Sequence, residues 1–145
     1  MTERLIAVTG ATGQLGGAVV RELGAGGHRL RLVVRDPSRA PHGPHEIALA
    51  SYGDGDAARV SFDGVDTLLL VSAAESADRL EQHRTVIDAA TAAGVRHVVY
   101  TSFLGAAPEA TFTLARDHWA TEQHLRASGM AFTLLRDAFY LDFLP

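Results

Sequence analysis

The sequence contains neither cysteine nor lysine among its 145 residues. Without thiols there is no disulfide, no thiolate nucleophile and no cysteine-ligated metal centre. Without an amine side chain there is no Schiff-base chemistry and no P-loop lysine. All 13 basic side chains are therefore arginine, set against 17 acidic ones for a net charge of −4. That balance, with no basic run, argues against a nucleic-acid partner. Long apolar runs are missing too. None reaches the length of a membrane span, and residues 1–9 read as a strand rather than a signal peptide, so a cytoplasmic protein with no membrane association is expected.

What is present is an ordinary globular mixture, 47% hydrophobic and 21% charged, long enough for one domain with a sizeable core. β-branched runs alternate with segments of helical period along the whole chain. Strands are expected at Arg4–Thr9, Arg29–Val34, Glu46–Ala50, Asp66–Ser72, Arg96–Ser102 and Ala131–Arg136. Helices are expected over Gln14–Ala25, for one or two turns within 54–62, from Ser76 as N-cap to Gly94 as C′ residue, and over Leu114–Ala127; residues 38–45, with two prolines and a glycine, read as loop. The stretch from Asp66 to Ser72 is almost uniformly apolar, as a strand covered on both faces must be. Strand–helix alternation at this spacing implies right-handed crossovers and the α/β class: a doubly wound parallel sheet of the Rossmann type, about six strands, in a single domain.

Gly10-Ala11-Thr12-Gly13-Gln14-Leu15-Gly16 closes the first strand and opens the first helix. In that context Gly10 permits a tight turn, Gly13 lets backbone approach a pyrophosphate, and Gly16 lets the helix pack against the strand; Thr12 adds a hydroxyl. A tight turn with no ligand is the bland alternative. Arg35, at the end of the second strand, suits the 2′-phosphate of NADPH, with Arg39 nearby. The adjacent Asp36 keeps NAD open, because an acidic residue there takes a ribose 2′-hydroxyl. Ligands of such sheets lie at the carboxyl ends of the strands. This places Ser51 and Tyr52 near the adenine, Ser72, Ala73 and Ala74 beside ribose and pyrophosphate, and Thr101, Ser102 and Phe103 toward the nicotinamide. Each hydroxyl has an equal claim to capping a backbone group.

His118 and Glu122 stand four apart on one helix face, where His118 could donate to a carbonyl oxygen with Glu122 fixing its tautomer; a helix-surface pair is the competing reading. His83 shares helical spacing with Leu80, Ile87 and Ala90 and reads more readily as a satisfied core histidine. His42 and His45 lack a third ligand, so no metal is expected. Trp119 and Phe103 suit either core packing or stacking on an aromatic ligand.

Taken together, AVTGATGQLGG, VVRDPSR, LLLVSAAE, QHRTVIDAATAAGV, YTSFLGA, HWATEQHLRASG and FTLLRDAFYLDFL resemble the NmrA-like branch of the atypical short-chain dehydrogenase/reductases, and within it the NADPH:quinone oxidoreductases and triphenylmethane dye reductases. The resemblance implies hydride transfer from NADPH to a quinone or similar conjugated acceptor. It implies a cofactor held by Gly10, Thr12, Gly13, Gln14, Leu15, Gly16 and Arg35, and a nicotinamide cleft faced by Ser72 to Glu75, His83, Thr101 to Phe103 and His118. The Tyr-x-x-x-Lys pair of ordinary short-chain dehydrogenases is excluded here, but a conjugated acceptor spreads or neutralises the arriving charge and needs less acid assistance. Such proteins continue for roughly as many residues again, so a chain lacking the substrate lobe, and truncated at its C-terminus, is expected. Two other readings remain: a dinucleotide-binding redox sensor without turnover, and an inactive fragment. The apolar tail DAFYLDFLP suggests self-association as a homodimer.

Overall fold

The computed structural model describes residues 3–137. Its elements are β1 (Leu5–Thr9), α1 (Gln14–Ala25), β2 (Arg29–Val34), a 3-10 turn (Pro37–Arg39), β3 (Glu46–Leu49), α2 (Gly55–Ser61), β4 (Thr67–Leu70), α3 (Arg79–Ala93), β5 (His97–Phe103), α4 (Thr113–Ala127) and β6 (Ala131–Asp137). The sheet order is β3-β2-β1-β4-β5-β6 and every pairing is parallel. The winding runs outward from β1 on one side, then restarts at β4 and runs outward on the other. Strand order therefore reverses between β1 and β4, where such sheets open a crevice.

Side-chain alternation builds two cores. Leu5, Ala7, Val33, Leu68, Leu70, Val98 and Tyr100 point to one face, under α2, α3 and α4. Val8, Leu30, Leu32, Val34 and Leu69 point to the other and pack with Val20 of α1. Ala7, Val8, Leu32, Leu68 and Leu70 have no exposed surface, which is why these strands read as unbroken apolar runs. No helix among the described residues is long and apolar enough to cross a membrane. The apolar tail credited with self-association runs over 137–145, and all of it after Asp137 lies outside the described residues.

Several boundaries differ from expectation for physical reasons. β4 ends at Leu70 rather than Ser72, where side-chain hydroxyls take over from the backbone ladder. There the Val71 amide donates to Thr9 Oγ1 (3.0 Å) and the Ser72 amide to Thr101 Oγ1 (2.8 Å). Hydroxyls thus replace carbonyls as ladder partners. Ser76 does not cap α3. Asp78 holds the N-cap position with no side-chain bond, and Ser76 instead offers its carbonyl to Arg79 N (3.3 Å) in a preceding turn. Within the proline-rich loop, the Asp36 carboxylate accepts from Ser38 N and organises the 3-10 turn. At the other end of α3, Gly94 adopts φ +83° as expected, with Val95 N bonded to Ala90 O.

The tightest constraint lies at the start of α1. A Cβ on Gly16 would sit 2.1 Å from the Gly10 carbonyl oxygen, whereas one on Gly94 would meet nothing within 4 Å. Gly16→Ala should therefore cost about 3 kcal/mol or more, since backbone must move. Gly94→Ala should cost only the left-handed strain of about 1–2 kcal/mol. Urea denaturation of both variants checks the order; equal losses would contradict it.

Candidate functional site

At the switch point a cleft of about 420 Å³ is lined by Gly10–Thr12, Val33–Arg35, Ala50–Gly53 and Val71–Ala74, with Ser76 and Gln82 closing one side. Its volume lies within the range of small-molecule sites. Gly10 (φ +64°) turns the chain out of β1 against Val71, where a Cβ would come within 3.0 Å of that side chain. α1 then starts from Gly13 with no side chain capping it. The first amides of a helix have no intrahelical carbonyl, so this terminus presents donors and a positive dipole end beside the cleft.

Arg35 lies at the cleft wall and is exposed, with no hydrogen bond or ion pair among the described residues. Its neighbour Asp36 is committed elsewhere. Its carboxylate accepts from Ser38 N (3.0 Å) and Ser38 Oγ (2.7 Å), and these bonds, against a small burial cost and with help from Arg39, hold it below its ordinary pKa. The group that would favour a ribose hydroxyl is thus engaged, and the one that suits a phosphate is available.

Of the residues expected at the site, Gly10, Thr12, Arg35, Ser51, Tyr52, Ser72, Ala73 and Ala74 line the cleft. Gly13, Gln14, Leu15 and Gly16 form the adjoining start of α1, and Glu75 is exposed just beyond the β4 end. The Tyr52 ring lines the cleft, but its hydroxyl is fastened between Thr9 Oγ1 and the Val71 carbonyl. Burial pushes that phenol up to about 12 despite the Thr9 bond and Arg35. Tyr52 is therefore a wall with no hydroxyl to offer.

His83, Thr101, Ser102, His118 and Glu122 do not line the cleft. They are buried behind it in a polar cluster between β5, α3 and α4. Ala73 N donates to His83 Nε2 (2.9 Å), and His83 Nδ1 lies 3.0 Å from Thr121 Oγ1. The Tyr100 hydroxyl stands 2.7 Å from His118 Nδ1 and 3.3 Å from His83 Nδ1. Phe103 stacks on His118 with ring centroids 6.3 Å apart. The core-histidine reading of His83 is the one the geometry fits, yet through Ala73 it touches the back of the cleft wall.

The expected Glu122–His118 partnership is not the one formed. Glu122 has no exposed surface and accepts from Ser102 Oγ (2.5 Å) and from Arg136 Nε (3.1 Å) and Nη2 (2.8 Å). Burial opposes its ionisation, but the Arg136 and Ser102 hydrogen bonds and the Arg136 and Arg126 charges outweigh that and hold the carboxyl below its ordinary value. Helical spacing placed His118 and Glu122 on one face correctly, but could not show that strands β5 and β6 supply the nearer partners for Glu122.

Sequence reading also missed Arg79, Gln82 and Tyr100. Arg79 is 1% exposed, pairs with Asp117 (3.1 Å) and leaves Nε unpartnered. Its spacing four before His83 on the buried face of α3 was a usable signal. Tyr100 alternates with Val99 along β5 and so had to face the helices. Nothing in the pattern marked Gln82.

A parallel sheet in this order, with a glycine turn and an uncapped helix start at its switch point, defines the dinucleotide-binding Rossmann class. The chain belongs to the NAD(P)H-binding family, whose model matches residues 10–143. It is 41% identical to quinone oxidoreductase 2 of Escherichia coli over 94% of this chain and 49% of that protein. The solved NADPH complex of an E. coli NADPH-dependent quinone oxidoreductase superposes with TM-score 0.88 at 40% identity, covering 95% of this chain and 50% of that one. The Citrobacter triphenylmethane reductase complexed with NADP(H) gives TM-score 0.88 at 36% identity, again over 95% and 50%. An NAD(P)H azoreductase of Xenophilus azovorans is 30% identical over 94% of this chain and 49% of its own length. The chain spans about half the length of the curated relatives it matches.

Burial, with the His118 and Arg79 charges, pushes His83 down to about 3. Burial, with Arg79, pushes His118 down to about 4 against Asp117 and Glu122. Both folded-state values lie below the ordinary histidine value. The unfolded chain therefore takes up protons first as pH falls, and stability present above about pH 6.5 is lost toward pH 4. Each histidine should contribute a slope of about 1.4 kcal/mol per pH unit in that window. Denaturant titrations at pH 7, 6, 5 and 4 measure it. His118→Gln should remove one proton's share; an unchanged slope would show that the ring is not buried neutral.

Proposed function

We propose that this chain forms the NADPH-binding part of an oxidoreductase that passes hydride to a quinone or a similar conjugated acceptor. The observation that carries the cofactor assignment is the division of labour at the end of β2, where Arg35 lines the cleft with no hydrogen bond or ion pair among the described residues and Asp36 is bound to Ser38. Gly10 to Thr12 and the start of α1 would hold the pyrophosphate, Ala50 to Gly53 would flank the adenine, and Ser72 to Ala74 would lie beside the central ribose. When bound, the dinucleotide supplies the hydride. The chain's own residues orient it and exclude water from one side.

The acceptor class draws support from the quinone, dye and azo reductases among the relatives. It is also consistent with the chemistry of the chain. No lysine is present to protonate an isolated alkoxide, and conjugated acceptors need less of that help. His118 lies behind the cleft described above, and its place beside Phe103 at the end of β5 makes it the candidate donor to an acceptor oxygen bound beyond that cleft, with Glu122 holding Ser102 and Arg136 nearby. A redox sensor would bind the same cofactor, so turnover separates the two readings.

Fluorescence titration should show tighter binding of NADPH than of NADH. Arg35→Ala should weaken NADPH by about 1.5–3 kcal/mol, roughly ten- to a hundredfold, with little change for NADH. A preference for NADH in the unmodified protein would defeat the role given to Arg35. Adding a benzoquinone to protein and NADPH should accelerate loss of the 340 nm absorbance typical of reduced nicotinamide. Tight binding with no turnover of any quinone or dye would favour the sensor.

A further inference from the structure

The buried polar cluster fixes more than the positions of its members. A backbone amide can only donate, so the Ala73 N–H···Nε2 bond (2.9 Å) makes His83 Nε2 an acceptor. A neutral His83 must then carry its proton on Nδ1, which points at Thr121 Oγ1 (3.0 Å) and, less closely, at the Tyr100 oxygen (3.3 Å). Thr121 is free to accept, because its own proton goes to the Asp117 carbonyl (2.8 Å). A protonated His83 Nδ1 cannot accept from Tyr100, so the Tyr100 proton must go elsewhere. The closest partner of that hydroxyl is His118 Nδ1, at 2.7 Å, which accepts from it. His118 is thereby left with its proton on Nε2.

That nitrogen is the one unsatisfied end of the chain of bonds. No hydrogen bond engages His118 Nε2 among the described residues. Among the described residues the buried side-chain atom left unpartnered is Arg79 Nε, not His118 Nε2, and His118 as a whole is 4% exposed. Phe103, lying across the ring at 27° between planes, holds its orientation.

We propose that Tyr100 and His83 are positioning residues, which relay the fixed polarity of the Ala73 amide to His118 and hold it as a neutral imidazole donating from Nε2 to the oxygen of a carbonyl acceptor. A neutral imidazole polarises such an oxygen without surrendering a proton to solvent. Burial that keeps both rings uncharged near neutral pH supports this geometry. The donor role rests on the reductase reading above; the tautomers do not.

The test begins with long-range ¹H–¹⁵N correlation of the imidazole rings in the uniformly ¹⁵N-labelled chain at pH 7. Its seven histidines are assigned with His83→Gln and His118→Gln. The expected result is His83 protonated at Nδ1, the less common form in free histidine, and His118 protonated at Nε2. In Tyr100→Phe the His118 Nδ1 resonance should move to the position of a free acceptor while His83 keeps its tautomer. Protonation of His83 at Nε2, of His118 at Nδ1, or of either ring at both nitrogens would overturn the relay. If Tyr100→Phe does not fold, the unmodified spectrum alone decides.

The second readout is NADPH oxidation with two acceptors, a benzoquinone and a cationic triarylmethane dye that has no oxygen at its reactive carbon. Tyr100→Phe should lower kcat for the quinone about tenfold relative to the dye, the size of one hydrogen bond. Equal losses for both acceptors would defeat the donor role. Reduction of neither would defeat the reductase reading and the donor role together, leaving the tautomers to the spectrum.

Discussion

The site depends on one close approach, the packing of Gly16 against the carbonyl of Gly10. Because a side chain there would overlap that oxygen, α1 can start directly on the turn that ends β1. The helix terminus is thereby brought to the crevice where strand order reverses. At the same place the hydroxyls of Thr9 and Thr101 take up the amides of Val71 and Ser72. The floor of the cleft is consequently made of satisfied backbone, and the groups left over for a ligand are those at its rim.

A second layer lies behind that floor. His83, Tyr100, His118, Thr121, Ser102 and Glu122 are all buried, and each finds a hydrogen-bond partner in another element. Buried polar groups tolerate few arrangements, since a single missing partner strands another group in a medium that cannot solvate it. The network therefore fixes how β5, α3 and α4 sit relative to one another. Arg136 extends it to the sheet edge, where its half-exposed guanidinium holds the fully buried Glu122.

The fold was legible because its signals are local and repeated. β-branched runs, helix periods and a glycine turn between β1 and α1 place every strand and helix to within a few residues. The strand ends were misjudged where hydroxyls take over the ladder, a substitution that composition cannot reveal. Half of the site was legible for the same reason, since carboxyl ends of strands are read directly from strand positions. The rest depends on contacts across elements. Helical spacing shows that His118 and Glu122 share a face; it is silent on Ser102 and Arg136, which arrive from β5 and β6. Arg79, charged and 1% exposed, runs against the expectation that arginine lies outside, and Tyr100 looked like one more apolar strand residue.

The turn after β2 bears on how such a protein could exchange one nucleotide for another. Asp36 directly follows Arg35 at the end of β2, and Ser38 keeps its carboxylate folded into the 3-10 turn. Loss of Arg35 alone would remove a phosphate contact without creating a replacement for it. Release of Asp36 requires a change at Ser38 as well, so neither substitution by itself leads smoothly from one preference to the other. A pair of neighbouring positions thus acts as a ratchet in sequence space, and a lineage that has Arg35 and Ser38 together is expected to drift slowly in its choice of cofactor.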